Sequence, residues 1–187
     1  MINYDRITSL AVQEDKVDKL MYSLIDAELV NFIKKRPMKS SKLFINLQLE
    51  DLSTFLEVYL SNHSYSECKI VIILNVKKGY EMINKFSNIS SSVSKIVDEG
   101  IEIAVDINYS NMYDYDYILK NATYLVMDES IINNMNNTLS KNKVINIVEL
   151  ANSYELELFA IGVKEYIQFE NLSKYGVKYF AGVYFGK

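Results

Sequence analysis

The chain is poor in the residues that staple or punctuate a fold. A single cysteine, Cys68, excludes an internal disulfide framework, so packing has to hold the core, and a reducing compartment fits. A single histidine, His63, is the only imidazole available to activate that thiol. The apolar run after Cys68 reads it as a small packed residue instead of a nucleophile. There is one proline, Pro37, with six glycines and no tryptophan. With no linker composition and no internal repeat, one domain over residues 1–187 is expected. Long hydrophobic runs are missing as well, and the apolar stretches are far too short for the ~20 residues that cross a bilayer. Met1 to Arg6 shows no basic start followed by an apolar run, so no leader is expected and a cytoplasmic location is the expectation. Positive charge is not in excess: the net charge is −4. A nucleic-acid groove needs a clustered basic face. The one basic cluster, Lys34, Lys35, Arg36, Lys39 and Lys42, reads as a solvated helix end, where cations are favoured. Neither nucleic acid nor a membrane is expected as a partner.

What is present is ordinary for a packed domain. Hydrophobic residues make up 49% and charged residues 24% of 187 positions, enough for a sizeable core. Val17, Leu20, Met21, Leu24, Ile25, Leu29 and Val30 recur at helical spacing, and Pro37 ends that helix. Leu43 to Leu47 reads as a strand, and Asp51 or Ser53 caps a second helix. Ile70 to Leu74 is an unbroken, mostly β-branched run, the signature of a strand covered on both faces. A helical pattern over 79–99 ends at Gly100, before a strand from Ile101 to Asp106. A short helix leads to a strand from Tyr124 to Asp128, and Ser140 is placed to cap a helix through Val144, Ile147, Val148 and Ala151. Leu156 to Ile161 is strand-like, Glu165 to Tyr175 helix-like, and Tyr179 to Phe185 strand-like. Six strands alternating with helices imply parallel pairing through crossovers, hence an α/β barrel or open sheet.

The stretch from Val144 to Lys187 narrows this. A helix ending near Ala151 leads to a strand with Ala160-Ile161-Gly162-Val163-Lys164, then a helix with Gln168, then Gly176-Val177, and a last strand with Ala181-Gly182. In order and spacing this resembles the end of EAL domains, the cyclic di-GMP phosphodiesterase family, where the matching motifs read Ala-Glu-Gly-Val-Glu and Gln-Gly-Tyr. Arg6 to Ala11 with Val17 to Leu20 resembles the family's first helix, and Phe44-Ile45-Asn46-Leu47 its third strand, with the metal-binding Asn. Ile101 to Asp106 resembles the strand ending in Asp-Asp-Phe-Gly, and Tyr124 to Asp128 the Lys-Ile-Asp strand. The resemblance implies an incomplete TIM-barrel-like EAL fold of about six mostly parallel strands, truncated at the N-terminal side so that the Glu-Ala-Leu strand has no counterpart.

The same resemblance marks what has changed. The family hydrolyses one phosphodiester bond with metal held by carboxylates and an Asn, and a hard cation needs several converging oxygens. Asn46, Asp106, Asp128 and Gln168 are kept. Ile73 or Leu74 stands for a Glu, Ile107 for the second Asp, and Val126 for the Lys. Ile161 stands for the Glu of Ala-Glu-Gly-Val-Glu, Lys164 for its last Glu, and Ala181 for a Gln. Charges of both signs are replaced together, which avoids the roughly 3–5 kcal/mol of a buried charge left without its partner. The expectation is a metal site converted to apolar core: no catalytic residue, no metal, no cofactor and no hydrolysis. Asn46, Asp106, Asp128 and Gln168 remain as a vestigial ligand pocket, or as strand-end groups bonded to backbone.

Two other features invite a role. Asp106, Asn108 and Ser110 alternate like a calcium loop, but Asn111 and Tyr117 stand where Gly and a bidentate Glu are required. Tyr109, Tyr113, Tyr115 and Tyr117 form a tyrosine-rich segment that suits either an interface or packing on a helix flank. An incomplete barrel leaves unpaired edges, so a protein partner or a homodimer is expected to cover them. The functional expectation is an inactive regulator acting through protein contact. A receptor that binds cyclic di-GMP without cleaving it is the alternative.

Overall fold

A computed structural model describes residues 42–48, 52, 55–56, 69–76, 86–107, 116–133 and 138–186. The helix read over Val17 to Val30, the Pro37 stop, His63, Cys68, the caps at Asp51 and Ser53, Tyr109, Tyr113 and Tyr115 lie outside them.

Six strands form one sheet in chain order: β1 (Lys42–Gln48), β2 (Lys69–Val76), β3 (Glu102–Ile107), β4 (Tyr124–Met127), β5 (Glu157–Ile161) and β6 (Tyr179–Ala181). Every neighbouring pair is parallel. Parallel neighbours require crossovers, and helices supply them. Between β2 and β3 lies α1 (Phe86–Asp98), and between β3 and β4 lies α2 (Asp116–Lys120). Both α3 (Glu129–Ile132) and α4 (Thr138–Ser153) precede β5, and α5 (Tyr166–Lys174) precedes β6.

Alternation along each strand divides the apolar residues into two layers. On the outer face, Ile72, Leu74, Ile103, Val105, Leu125 and Leu158 pack against Val93 and Ile96 of α1, Leu119 of α2, Val144 and Ile147 of α4, and Leu172 of α5. On the inner face, Val71, Ile73, Ala104, Tyr124, Val126 and Phe159 form a second cluster, joined by Phe44, Ile161, Tyr179 and Ala181. This is why Ile70 to Leu74 reads as an unbroken apolar run: both of its faces are buried. The sheet is strongly curled. Phe44 on β1 and Phe159 on β5 are not neighbours in the sheet, yet their ring centroids stand 4.7 Å apart. The result is a half-barrel with a packed interior, the TIM-barrel-like architecture expected from the sequence. Among the described residues, β1 and β6 are its two edges.

Several boundaries differ from the sequence reading. The last strand stops at Ala181 instead of Phe185. The reason is Gly182, where an added Cβ would lie 2.1 Å from the Val163 carbonyl oxygen and 2.4 Å from its amide nitrogen. The loop after β6 is therefore pressed against the loop after β5, and both clashing atoms are backbone. Gly182→Ala should cost about 3 kcal/mol, by analogy with other forced backbone rearrangements. Urea unfolding checks this, and a midpoint equal to that of the parent chain would contradict it. Ser140 does not cap α4, which begins at Thr138, so Ser140 lies inside the helix. Lys42 is not a helix-end cation but the first residue of β1.

Candidate functional site

Strand ends in a parallel barrel differ in role: ligands are bound at the C-terminal ends, and the opposite end serves stability. Here the N-terminal end of the interior is closed by a polar cluster. Lys42 Nζ lies 2.7 Å from Glu102 Oε2 and also donates to the Tyr124 hydroxyl. The Tyr124 hydroxyl in turn donates to Glu102 Oε2 at 2.8 Å. Burial works against the Lys42 charge, but its hydrogen bonds to Glu102 and Tyr124 outweigh it and hold the ammonium above the usual lysine range. The Tyr124 ring above this cluster is fully buried and meets Tyr179 edge-on at 5.2 Å.

At the C-terminal ends, the structure brings Asn46, Asp106 and Asp128 to the same rim. Asn46 accepts from the side-chain amide of Asn75 on the neighbouring strand. Asp106 is half-buried, and burial together with the nearby Asp128 charge pushes its carboxyl up to about 6. Asp128 lies just past β4 and caps α3. Its Oδ1 accepts from the Ile131 amide at 3.1 Å and from the Ser130 hydroxyl at 2.7 Å. Gln168 is committed locally too. Its Oε1 accepts from the Lys164 amide at 2.7 Å and the Glu165 amide at 3.1 Å, satisfying donors at the start of α5, and its Nε2 donates to Asn133 Oδ1 at 3.3 Å. Of the four retained polar residues, Asp106 alone has a side chain without a hydrogen-bond partner among the described residues.

Below this rim, Ile73, Val126 and Ile161 belong to the inner apolar cluster, with Ala181 beside Ile161 in register. Leu74 packs on the outer face, so of the two candidate Glu positions Ile73 is the inward one. The side chain of Ile107 is outside the described set. Among the described residues, no group of three or more His, Cys, Asp or Glu converges on one point. The rim carries, among the described residues, the Asp106 carboxylate, the Asp128 carboxylate that caps α3, the Glu129 carboxylate paired with Lys164, and the amides of Asn46 and Asn75 bonded to each other.

Sequence reasoning missed two members of the rim, Asn75 and Glu129. Asn75 pairs with Asn46, and its place two residues after Ile73 on an inward-facing position was the available signal. Glu129 binds Lys164 through an ion pair and accepts from Asn133 Nδ2 at 3.0 Å. Gly162 permits that approach, since a Cβ there would lie 2.8 Å from Glu129 Cβ. The cation at Lys164, where the resemblance expects an anion, was the clue to an anionic partner. Tyr117 sits on α2, where its hydroxyl shares a 2.7 Å hydrogen bond with Ser94 on α1, and its ring packs against the outer core. That contact ties two helices together.

The EAL domain family model matches residues 1–187. The chain belongs to the EAL domain family. Solved EAL structures share its fold. The PaMucR phosphodiesterase in complex with c-di-GMP is 18% identical with a TM-score of 0.72, over 100% of this chain and 78% of that one. An EAL domain protein from Listeria monocytogenes EGD-e is 20% identical with a TM-score of 0.70, over 98% and 72%. The Bacillus subtilis YkuI protein, solved with substrate c-di-GMP and calcium, is 17% identical with a TM-score of 0.69, over 89% and 42%. Among curated protein sequences none matches. No helix of the described residues is long and apolar enough to cross a membrane.

Proposed function

We propose that this EAL domain is a non-hydrolysing regulatory module of cyclic di-GMP signalling, and that it acts by contact with protein. The observation that carries the reading is the apolar inner face at Ile73, Val126 and Ile161, directly beneath the strand-end rim. Metal-assisted hydrolysis needs a cation to activate water and neutralise the phosphate. At these positions aliphatic side chains offer neither ligands for the cation nor charge for the phosphate. The remaining polar groups are mostly engaged within the fold: Asp128 caps α3, Gln168 satisfies α5, and Lys164 is neutralised by Glu129. A buried apolar interior is stable without metal, so the scaffold is free to keep the EAL shape for other contacts. Strands β1 and β6, the edges among the described residues, give such contacts a place to form, because unpaired strand edges pair readily with another chain.

A second reading is a receptor that binds cyclic di-GMP without cleaving it. Asp106, half-buried at the strand ends and without a hydrogen-bond partner among the described residues, favours it, since a guanine edge offers donors to a carboxylate. Calorimetric titration of the chain with cyclic di-GMP, with and without Mg²⁺, separates the two. No saturable heat at high ligand concentration is expected. Saturable binding at micromolar concentrations or below would replace the protein-contact reading with the receptor.

A further inference from the structure

We infer that β1 acts as a clasp, with Lys42 and Phe44 reaching across the interior to β3, β4 and β5 and holding the half-barrel closed without the further strands of a complete barrel. The inference concerns the chain by itself and stands whether or not the domain contacts another protein. In the sheet, β1 is bonded to β2, and four strand spacings separate it from β5. A flat sheet would set β1 and β5 about 19 Å apart, at about 4.8 Å per spacing. Residues two apart on a strand share a face, so Lys42, Phe44 and Asn46 line the inner face of β1. Asn46 keeps to the neighbouring strand, through Asn75. The Phe44 ring instead meets Tyr124 on β4 at 5.9 Å and Phe159 on β5 at 4.7 Å between centroids. Lys42 passes over β2 to Glu102 on β3, at 2.7 Å, and to the Tyr124 hydroxyl on β4.

Two kinds of contact hold the clasp. Phe44, Tyr124 and Phe159 form an aromatic layer, and paired rings attract beyond what their buried area provides. Towards the N-terminal ends of the strands, the Lys42 ammonium lies over the Tyr124 ring, 5.1 Å from its centroid, as well as beside Glu102. Its charge also reaches the last two strands. The Tyr179 hydroxyl on β6, with Lys178 and Lys42, holds the Glu157 carboxyl on β5 below its usual range against the effect of burial. On the inner face of the central strands, Val71, Ala104 and Tyr124 are fully buried, as a covered interior requires. Phe44 is only half-buried, so it stands at the boundary of that interior. Among the described residues, β1 is otherwise held by β2 and by the outer-face packing of Ile45 and Leu47. Loss of the Phe44 contact therefore frees β1 before the rest of the sheet. A partner that inserted strands between β6 and β1 would have to pull Phe44 from Phe159, so a partner pairs with a strand edge without entering the interior.

Hydrogen exchange and urea unfolding of the full chain test this. In the parent chain, the β1 amides bonded to β2 should exchange as slowly as those of β3, although β1 is an edge. Exchange at the rate of a frayed edge overturns the inference with no variant needed. Phe44→Leu, which keeps a packed side chain, should speed exchange over β1 by at least about tenfold while β3 and β4 change little. An equal change in all strands also overturns it, because Phe44 would then act only through the stability of the whole domain. A double-mutant cycle of Phe44→Leu with Phe159→Leu reads the contact itself. The combined effect on the unfolding constant should fall short of the product of the separate effects by roughly two- to tenfold. Strictly multiplicative effects would contradict the clasp, by showing that β1 and β5 do not meet in solution. None of these readouts depends on cyclic di-GMP or on a partner protein.

Discussion

Tyr124→Ala is expected to lose about 4 kcal/mol of folding stability, the largest single loss anticipated here. The side chain is fully buried at the centre of the inner face, between Phe44 and Tyr179. Removing a buried aromatic ring costs about 3–5 kcal/mol, because the cavity collapses only in part. A curled half-barrel has little room to collapse, since Phe44 and Phe159 already touch across it. A domain of this size holds about 5–15 kcal/mol in total, so the variant should be marginal at room temperature. Tyr124→Phe separates the ring from its hydroxyl. It keeps the packing and the Lys42–Glu102 pair but removes the hydroxyl between them, and should cost about 1 kcal/mol. Urea unfolding of both variants measures the difference. Equal midpoints for the two would mean that the hydroxyl, not the ring, holds the interior together.

Asp106→Asn should do the reverse and stabilise the chain. Burial and the Asp128 charge raise the Asp106 carboxyl from its ordinary 3.8 to about 6. In the unfolded chain the group loses its proton first, so between those values the folded state binds more protons. Stability therefore falls as pH rises through that window and stays low above it. Asparagine cannot ionise and also supplies a donor towards Asp128. The gain should be about 2 kcal/mol at pH 8, or a melting temperature higher by roughly 4–8 °C, and should vanish near pH 4. A bound cation at this rim would invert the result, because Asp106 would then be held ionised and its loss would destabilise. Thermal melts at both pH values, with and without Mn²⁺, distinguish the cases.

Much of the fold is legible in the residues. The β-branched run of β2 announces burial on both faces, and the alternation of strands and helices announces parallel pairing. The resemblance over Val144 to Lys187 led to the family that the whole-chain match identifies. Boundaries were less legible where a single contact decides them. Gly182 ends β6 through its approach to Val163, and no local propensity encodes that distance. Asp128 was read as a strand residue because it follows an apolar run, yet its side chain serves α3, a helix too short for periodicity to reveal. Lys42 looked like part of a basic cluster because its neighbours in sequence are basic, whereas its partners Glu102 and Tyr124 lie far along the chain. The rim shows the same limit. Which polar residues survive is visible in the sequence, but not that Gln168 and Asp128 are already bonded to backbone.

That loss of free polar groups, with the aliphatic interior beneath, is the basis for reading the domain as non-hydrolysing. The most direct test is a phosphodiesterase assay of the purified chain with cyclic di-GMP and excess Mn²⁺, following the linear dinucleotide product. No product above the protein-free rate is expected, and Asp106→Asn should change nothing. Saturable turnover that disappears on chelation and in Asp106→Asn would contradict it, and would make Asp106 a working metal ligand.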